Sequence, residues 1–95
     1  MSKNSLKGSL RGKVIAITGG GRGIGLAIAE ALIAQGARVS IGDIDVALAE
    51  REALRIGAHA GRLDVRDRAS FTDFITGTEA ALGPLHALIN NAGIM

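Results

Sequence analysis

A chain of 95 residues with a formal net charge of +2 has room for one domain, which on folding buries roughly 60–65% of the surface its unfolded chain exposes. Apolar residues make up 47% of it but aromatic ones only 2%, so the core must rest on Val, Ile, Leu and Ala. The absence of Cys excludes disulfides, thiolate nucleophiles and Cys-ligated metals within the chain, and the absence of Tyr excludes a phenolic acid or base.

Residues 1–12 read as a flexible basic leader, in which Lys3, Lys7 and Arg11 are interleaved with Ser2, Asn4, Ser5, Gly8, Ser9 and Gly12. No apolar segment of signal-peptide length follows those charges, and there is no run of about 18 apolar residues to span a membrane. A soluble, cytoplasmic protein is the expectation, with residues 13–95 as its folded unit. The small basic excess and the lack of aromatic stacking platforms argue against a nucleic-acid partner.

From Lys13 onward, short β-branched runs alternate with segments of helix length. Val14 to Thr18 is an apolar strand signal, closed by Gly19-Gly20-Gly21. Ile24 to Gln35 predicts a helix with Glu30 and Gln35 as its only strongly polar residues, hence one buried on most of its circumference. Arg38 to Ile41 predicts a second strand ending at Gly42-Asp43. Ala47 to Ile56 predicts an amphipathic helix, with Asp45 as its N-cap and Gly57 just past its end. His59 to Leu63 predicts a short third strand, followed by Asp64-Val65. Phe71, Phe74, Ile75, Thr78 and Leu82 then fall at helical spacing, with Asp67 near the start and Gly83-Pro84 closing the segment. Leu85 to Ile89 predicts a fourth strand, ending in Asn90-Asn91-Ala92-Gly93. Strands without polar alternation are buried on both faces, so the pattern predicts a doubly wound α/β fold around a parallel sheet with about three helices.

The glycine cluster Thr18-Gly19-Gly20-Gly21-Arg22-Gly23-Ile24-Gly25 lies where a strand hands over to a helix. A helix start offers unpaired N–H groups and the positive end of the macrodipole, and glycine lets a phosphate approach the backbone. The spacing is neither G-x-G-x-x-G, since Ile24 occupies the last glycine position, nor a Walker loop, since no Gly-Lys-Ser/Thr follows. What fits is Gly19-x-x-x-Gly23-x-Gly25. Five glycines in seven residues are costly in backbone entropy for a mere connection.

Thr18-Gly19-x-x-x-Gly23-Ile24-Gly25 resembles the cofactor fingerprint of the short-chain dehydrogenase/reductase family. Asn90-Asn91-Ala92-Gly93 is similar to its second hallmark, and Asp64-Val65 resembles the pair that holds the adenine ring. The resemblance implies a Rossmann-type sheet of order 3-2-1-4 in this chain. It implies NAD or NADP as cofactor, and hydride transfer between nicotinamide and an alcohol or carbonyl in a complete member. Gly19, Gly21, Gly23 and Gly25 would shape the pyrophosphate loop, with contacts from Arg22 and Ile24; Arg22 is equally readable as a solvated loop cation. Asp43 stands 18 residues beyond Gly25, close to the offset of about 20 expected of the acid on the adenosine ribose. A carboxylate there favours NAD over NADP, although Arg22 and Arg38 can partly offset its repulsion of a 2′-phosphate. Asp45 is the rival acid, and an N-cap is its simpler role. Asp64 and Val65 would accept from and donate to adenine, the alternative for Asp64 being an N-cap. Asn90 would brace the sheet, and the Ala92-Gly93 backbone would pass beside the ribose. His59 and His86 lack partners at metal-ligand or catalytic spacing, and Phe71 and Phe74 read as core.

The family's Ser, its Tyr with a Lys four residues later, and its helix-borne Asn all fall beyond the Asn-Asn-Ala-Gly motif. No catalytic residue is therefore assigned, and the chain alone is expected to lack dehydrogenase activity. The function expected is that of an N-terminal cofactor-binding portion, the alternative being a non-catalytic nucleotide-binding or regulatory module. The apolar fourth strand is expected to form an exposed edge and to drive self-association, with homo-oligomers in the complete family.

Overall fold

Four strands and three helices alternate in the computed structural model of the chain, which describes residues 9–92. Strand β1 (Val14–Thr18) is followed by α1 (Gly23–Ala34), β2 (Arg38–Asp43), α2 (Val46–Ile56), β3 (His59–Arg62), α3 (Arg68–Leu82) and β4 (Ala87–Asn90). Every strand pairing is parallel, in the order β3-β2-β1-β4. β1 is central: Ile17 lies opposite Ile41 on one side and Ile89 on the other. The fold is the expected α/β Rossmann arrangement.

Capping explains where two of the helices begin. Asp45 Oδ1 accepts from the Leu48 N–H at 3.1 Å and starts α2, and Asp67 accepts from the Ala69 and Ser70 N–H groups and starts α3. Gly57, in the left-handed region at φ 84°, ends α2 and donates its N–H to the Ala53 carbonyl. α1 differs. Its N-cap position is held by Arg22 in extended conformation, without a side-chain cap.

The core is divided by the sheet. On one face Ile15, Ile17, Val39 and Ile41 pack against Ala29 of α1 and Ala49 and Ala53 of α2. On the other, Ala16 and Leu63 pack with Phe74 of α3, and Phe71, Ile75 and Leu85 close around them. β1 and all of β2 after Arg38 are buried, as continuous apolar strands in a covered parallel sheet should be.

Two burial expectations need correction. β3 is half-buried rather than fully covered, because it lies at a sheet edge among the described residues and lacks a strand neighbour on one side; β4, at the other edge, is mostly exposed, in line with the expectation of an exposed edge. α1 is not buried around most of its circumference: only Gly25 and Ala29 are, and Ile24 is 73% exposed. One helix face meets the sheet, and nothing in the described chain covers the opposite one. The expected leader also divides. Residues 1–8 lie outside the described residues, whereas Leu10 packs against the core and donates its N–H to the Gln35 carbonyl at 2.9 Å. No helix of the described residues is long and apolar enough to cross a membrane.

Candidate functional site

The carboxyl ends of β1, β2 and β3 and the residues after β4 meet around one cavity of about 270 Å³. Its lining includes Gly19, Asp43, Leu63, Asp64, Val65 and Ala92. At its Gly19 and Ala92 side β1 adjoins β4, and the crossover that leaves β1 (α1) lies on the opposite face of the sheet from the one that enters β4 (α3); such a switch point opens a crevice at the strand ends of doubly wound folds.

The glycine loop is held in place from three sides. The Gly19 and Gly20 N–H groups both donate to the Gly42 carbonyl, at 2.7 and 3.2 Å, so β2 guides the chain beyond the end of β1. The Gly21 N–H donates to Asp43 Oδ2 at 3.2 Å. The Asn91 amide donates to the Gly19 carbonyl at 3.2 Å. Backbone conformation at Gly19 and space at Gly25 both dictate glycine. Gly19 has φ 67°, and a Cβ on it would stand 3.2 Å from both Ala92 Cβ and Asn91 Nδ2. A Cβ on Gly25 would collide with the Gly19 carbonyl oxygen and come within 2.7 Å of Asn91 Nδ2. The first turn of α1 therefore packs directly against the strand end. Gly23, by contrast, has open space where its Cβ would be, and its φ of 56° is what selects it.

Asp43 is 8% exposed and uses both carboxylate oxygens: Oδ2 for Gly21, and Oδ1 for the Asp45 N–H at 3.1 Å. It therefore couples the glycine loop to the start of α2. Asp45 caps α2 and also pairs with Arg22, its Oδ2 lying 3.3 Å from Nη2 with both side chains well exposed. Arg38 is not near this site. It begins β2 at the opposite end from Asp43, and its Nη1 donates to the Leu82 carbonyl at 2.8 Å. The expectation that Arg38 offsets the charge of Asp43 is thus corrected.

Asp64 leaves β3 with its N–H donated to Ser70 Oγ of α3 at 2.9 Å. Its side chain caps no helix, since Asp67 does that. Instead Oδ1 accepts from the backbone N–H of Arg66 at 3.0 Å and from Arg66 Nε at 3.1 Å, and Oδ2 accepts from Arg66 Nη2 at 3.3 Å. Those bonds hold the Asp64 carboxyl below the ordinary carboxylate value and push the Arg66 guanidinium up. Val65, 42% exposed, lines the same cavity. Ile24 and Arg22 are exposed at the start of α1. Gly93 lies outside the described residues.

Thr18 joins the two glycine-bearing motifs. Its hydroxyl donates to Asn90 Oδ1 at 3.0 Å and accepts from the Ala92 N–H at 3.0 Å, while the residue itself is fully buried. Asn90 is thus tied across the strand pair to the end of β1, through Thr18. Neither Thr18 nor Asn91 is picked out by its own chemistry, since each depends on contacts about 72 positions away in sequence. His86 acts at the far end of β1, where Nδ1 accepts from the Val14 N–H at 2.9 Å and extends the ladder by one bond. Among the described residues no group of three or more His, Cys, Asp or Glu side chains could hold a metal ion.

A family model described as short chain dehydrogenase matches residues 13–95. The chain belongs to the short-chain dehydrogenase family. It is 48% identical over 90 residues to 2-(S)-hydroxypropyl-CoM dehydrogenase 3 of Xanthobacter autotrophicus (strain ATCC BAA-1158 / Py2), covering 90% of this chain and 35% of that protein. Among solved structures, 3-ketoacyl-(acyl-carrier-protein) reductase from Brucella melitensis complexed with NADH matches at TM-score 0.80 and 36% identity, covering 83% of this chain and 33% of the other. A structure titled ribose-5-phosphate isomerase from Brucella melitensis 16M matches at TM-score 0.85 and 36% identity, over 94% of this chain and 35% of the other. The short-chain dehydrogenase fold thus occurs under names that denote different reactions, and a fold alone does not assign one. The chain spans about a third of the length of these relatives.

Proposed function

We propose that this chain binds the adenosine and pyrophosphate of a nicotinamide dinucleotide, as the cofactor-binding part of an oxidoreductase acting on an alcohol or carbonyl. The observation that carries this reading is the convergence of Gly19, Asp43, Asp64, Val65 and Ala92 on one cavity, beside a helix whose start has no side-chain cap. The residues fit the ligand. The open flank of Gly23 and the uncapped N–H groups of α1 suit a pyrophosphate, with the macrodipole adding about 0.3–1 kcal/mol. The Asp43 carboxylate retains acceptor capacity for ribose hydroxyls and repels a 2′-phosphate, which supports NAD over NADP. Asp64 and Val65 suit the base. When bound, the dinucleotide supplies the hydride acceptor or donor; the residues described here bind and orient its adenosine half. The open edge of β4 further supports pairing between copies of the chain, testable by sedimentation.

Isothermal titration with ADP-ribose and with its 2′-phosphate tests the cofactor reading. ADP-ribose should bind saturably, and about tenfold or more tightly than the phosphorylated form. Asp43→Asn should narrow that preference. Absence of saturable binding by either compound overturns the reading, whereas tighter binding of the 2′-phosphate overturns only the choice of NAD.

A further inference from the structure

The Asp64–Arg66 pair has a stoichiometry that matters for the base. An ionised carboxylate offers about four acceptor positions, two on each oxygen. Arg66 fills three of them: its backbone N–H and Nε take Oδ1, and Nη2 takes Oδ2. One acceptor position, on Oδ2, is left, and both residues line the cavity. We propose that Arg66 is the positioning residue for base selectivity in this cleft, fixing Asp64 as a reader of a single N–H donor and so selecting a 6-amino purine over a 6-oxo purine. This rests on the nucleotide reading above.

The chemistry follows from the donor count. A 6-amino purine brings an N–H to the remaining acceptor, whereas a 6-oxo purine brings an oxygen that the carboxylate oxygen repels. Without the guanidinium fork, Asp64 can turn about its last torsion and take either a donor or a bridging water. Arg66 is suited to a positioning role because its side chain is 81% exposed, while that of Asp64 is 19% exposed. Truncating the arginine removes nothing from the core. Lysine at this place would keep the charge but lacks the planar fork.

Titration of the 95-residue chain with ADP-ribose and with inosine diphosphate ribose, in which hypoxanthine replaces adenine, reads the effect as a ratio of affinities. The wild type should favour ADP-ribose by about tenfold or more, the scale of one hydrogen bond to a charged group. Arg66→Ala should shrink that ratio to about threefold or less, by tightening the hypoxanthine compound relative to the adenine one, and Arg66→Lys should follow it. A merely structural role would lower both affinities together and leave the ratio alone. Retention of the full ratio in Arg66→Ala or in Arg66→Lys overturns the proposal, as does equal affinity of the wild type for the two bases. If the wild type binds neither compound, the nucleotide reading itself fails.

Discussion

On the face of the sheet covered by α1 and α2, the strands bring the fully buried bulk, as Ile15, Ile17, Val39 and Ile41, and the helices bring Ala29, Ala49 and Ala53 at the closest contacts, with Ile28, Leu32, Ile33 and Ile56 packed half-buried at the margins. On the face covered by α3 the sizes are reversed. The strands there present Ala16, Ser40, Gly42 and Gly61, and the helix brings Phe74 and Thr78. A Cβ on Gly42 would stand 2.9 Å from Phe74 Cζ, and one on Gly61 would stand 3.0 Å from Cδ1, so the ring fills the space two missing side chains leave. Close approach of helix and sheet needs small residues on one partner, and this molecule uses both solutions, one on each side. The difference has a chemical consequence. Small strand residues leave room for hydroxyls: Ser40 Oγ lies 2.7 Å from Thr78 Oγ1 and 3.1 Å from His59 Nδ1, and Thr18 occupies the same strand row as Ala16. The polar face therefore runs directly into the site at the strand ends, through the bonds of Thr18 to Asn90 and Ala92.

Removing the bulk from each face tests the contrast most strongly. Phe74→Ala should cost about 3–5 kcal/mol, because the neighbouring Gly42 and Gly61 have no side chains with which to collapse into the cavity. Ile41→Ala should fall toward the lower end of the range of about 2–5 kcal/mol, since Ile15, Ile17 and Val39 can relax into the gap. Equilibrium unfolding in urea measures both, and a larger loss for Ile41→Ala would break the comparison. Next in size is Thr18→Val, which keeps the shape but strands Asn90 Oδ1 and the Ala92 N–H. The expected loss is about 1–3 kcal/mol, and Thr18→Ser should recover most of it. Were Thr18→Val as stable as the wild type, the hydroxyl would have no part in joining strand end to motif.

Much of this was legible in the residues. The seven elements, their order and the cap at Asp45 follow from β-branched runs, turn residues and helical spacing, all of which are local; the cap of α3 is Asp67, which the sequence placed only near the helix start, and not the alternative Asp64. That Gly19, Asp43, Asp64 and Val65 would share one place was legible as well, because a glycine-rich turn and strand-end acids leave a mark in short stretches of sequence. What was hidden depends on distance in the chain. The exposure of α1 was misread because composition reports how apolar a helix is, not how much protein is available to cover it. Arg38 was misplaced because a strand of six residues separates its two ends by about 17 Å, enough to put a charge outside the site. The roles of Thr18, Asn91 and His86 need partners from β1 and β4, which only the folded sheet brings together. The Arg66 fork was local and could have been read: opposite charges two residues apart, after a strand, suit an Asx turn closed by an ion pair.

The smallest effect is expected outside both faces, at that turn. Asp64 titrates below the ordinary carboxylate value of 3.8 in the folded chain, chiefly because Arg66 donates hydrogen bonds to its ionised form. A folded value below the unfolded one means that folding favours the ionised carboxylate. Its contribution is therefore complete above the unfolded value, and is lost as the pH falls through the folded one. The stability difference between wild type and Asp64→Asn should accordingly stay constant from about pH 7 to pH 5 and shrink below 3.8. Exposure of the pair to solvent keeps the amplitude small, so urea midpoints should be compared at low ionic strength, where screening is least. The costs of Phe74→Ala and Ile41→Ala contain no such titration and should not follow that profile. A wild-type-to-Asn difference that stays flat down to pH 2 would remove the carboxylate–guanidinium pair from the forces holding this turn.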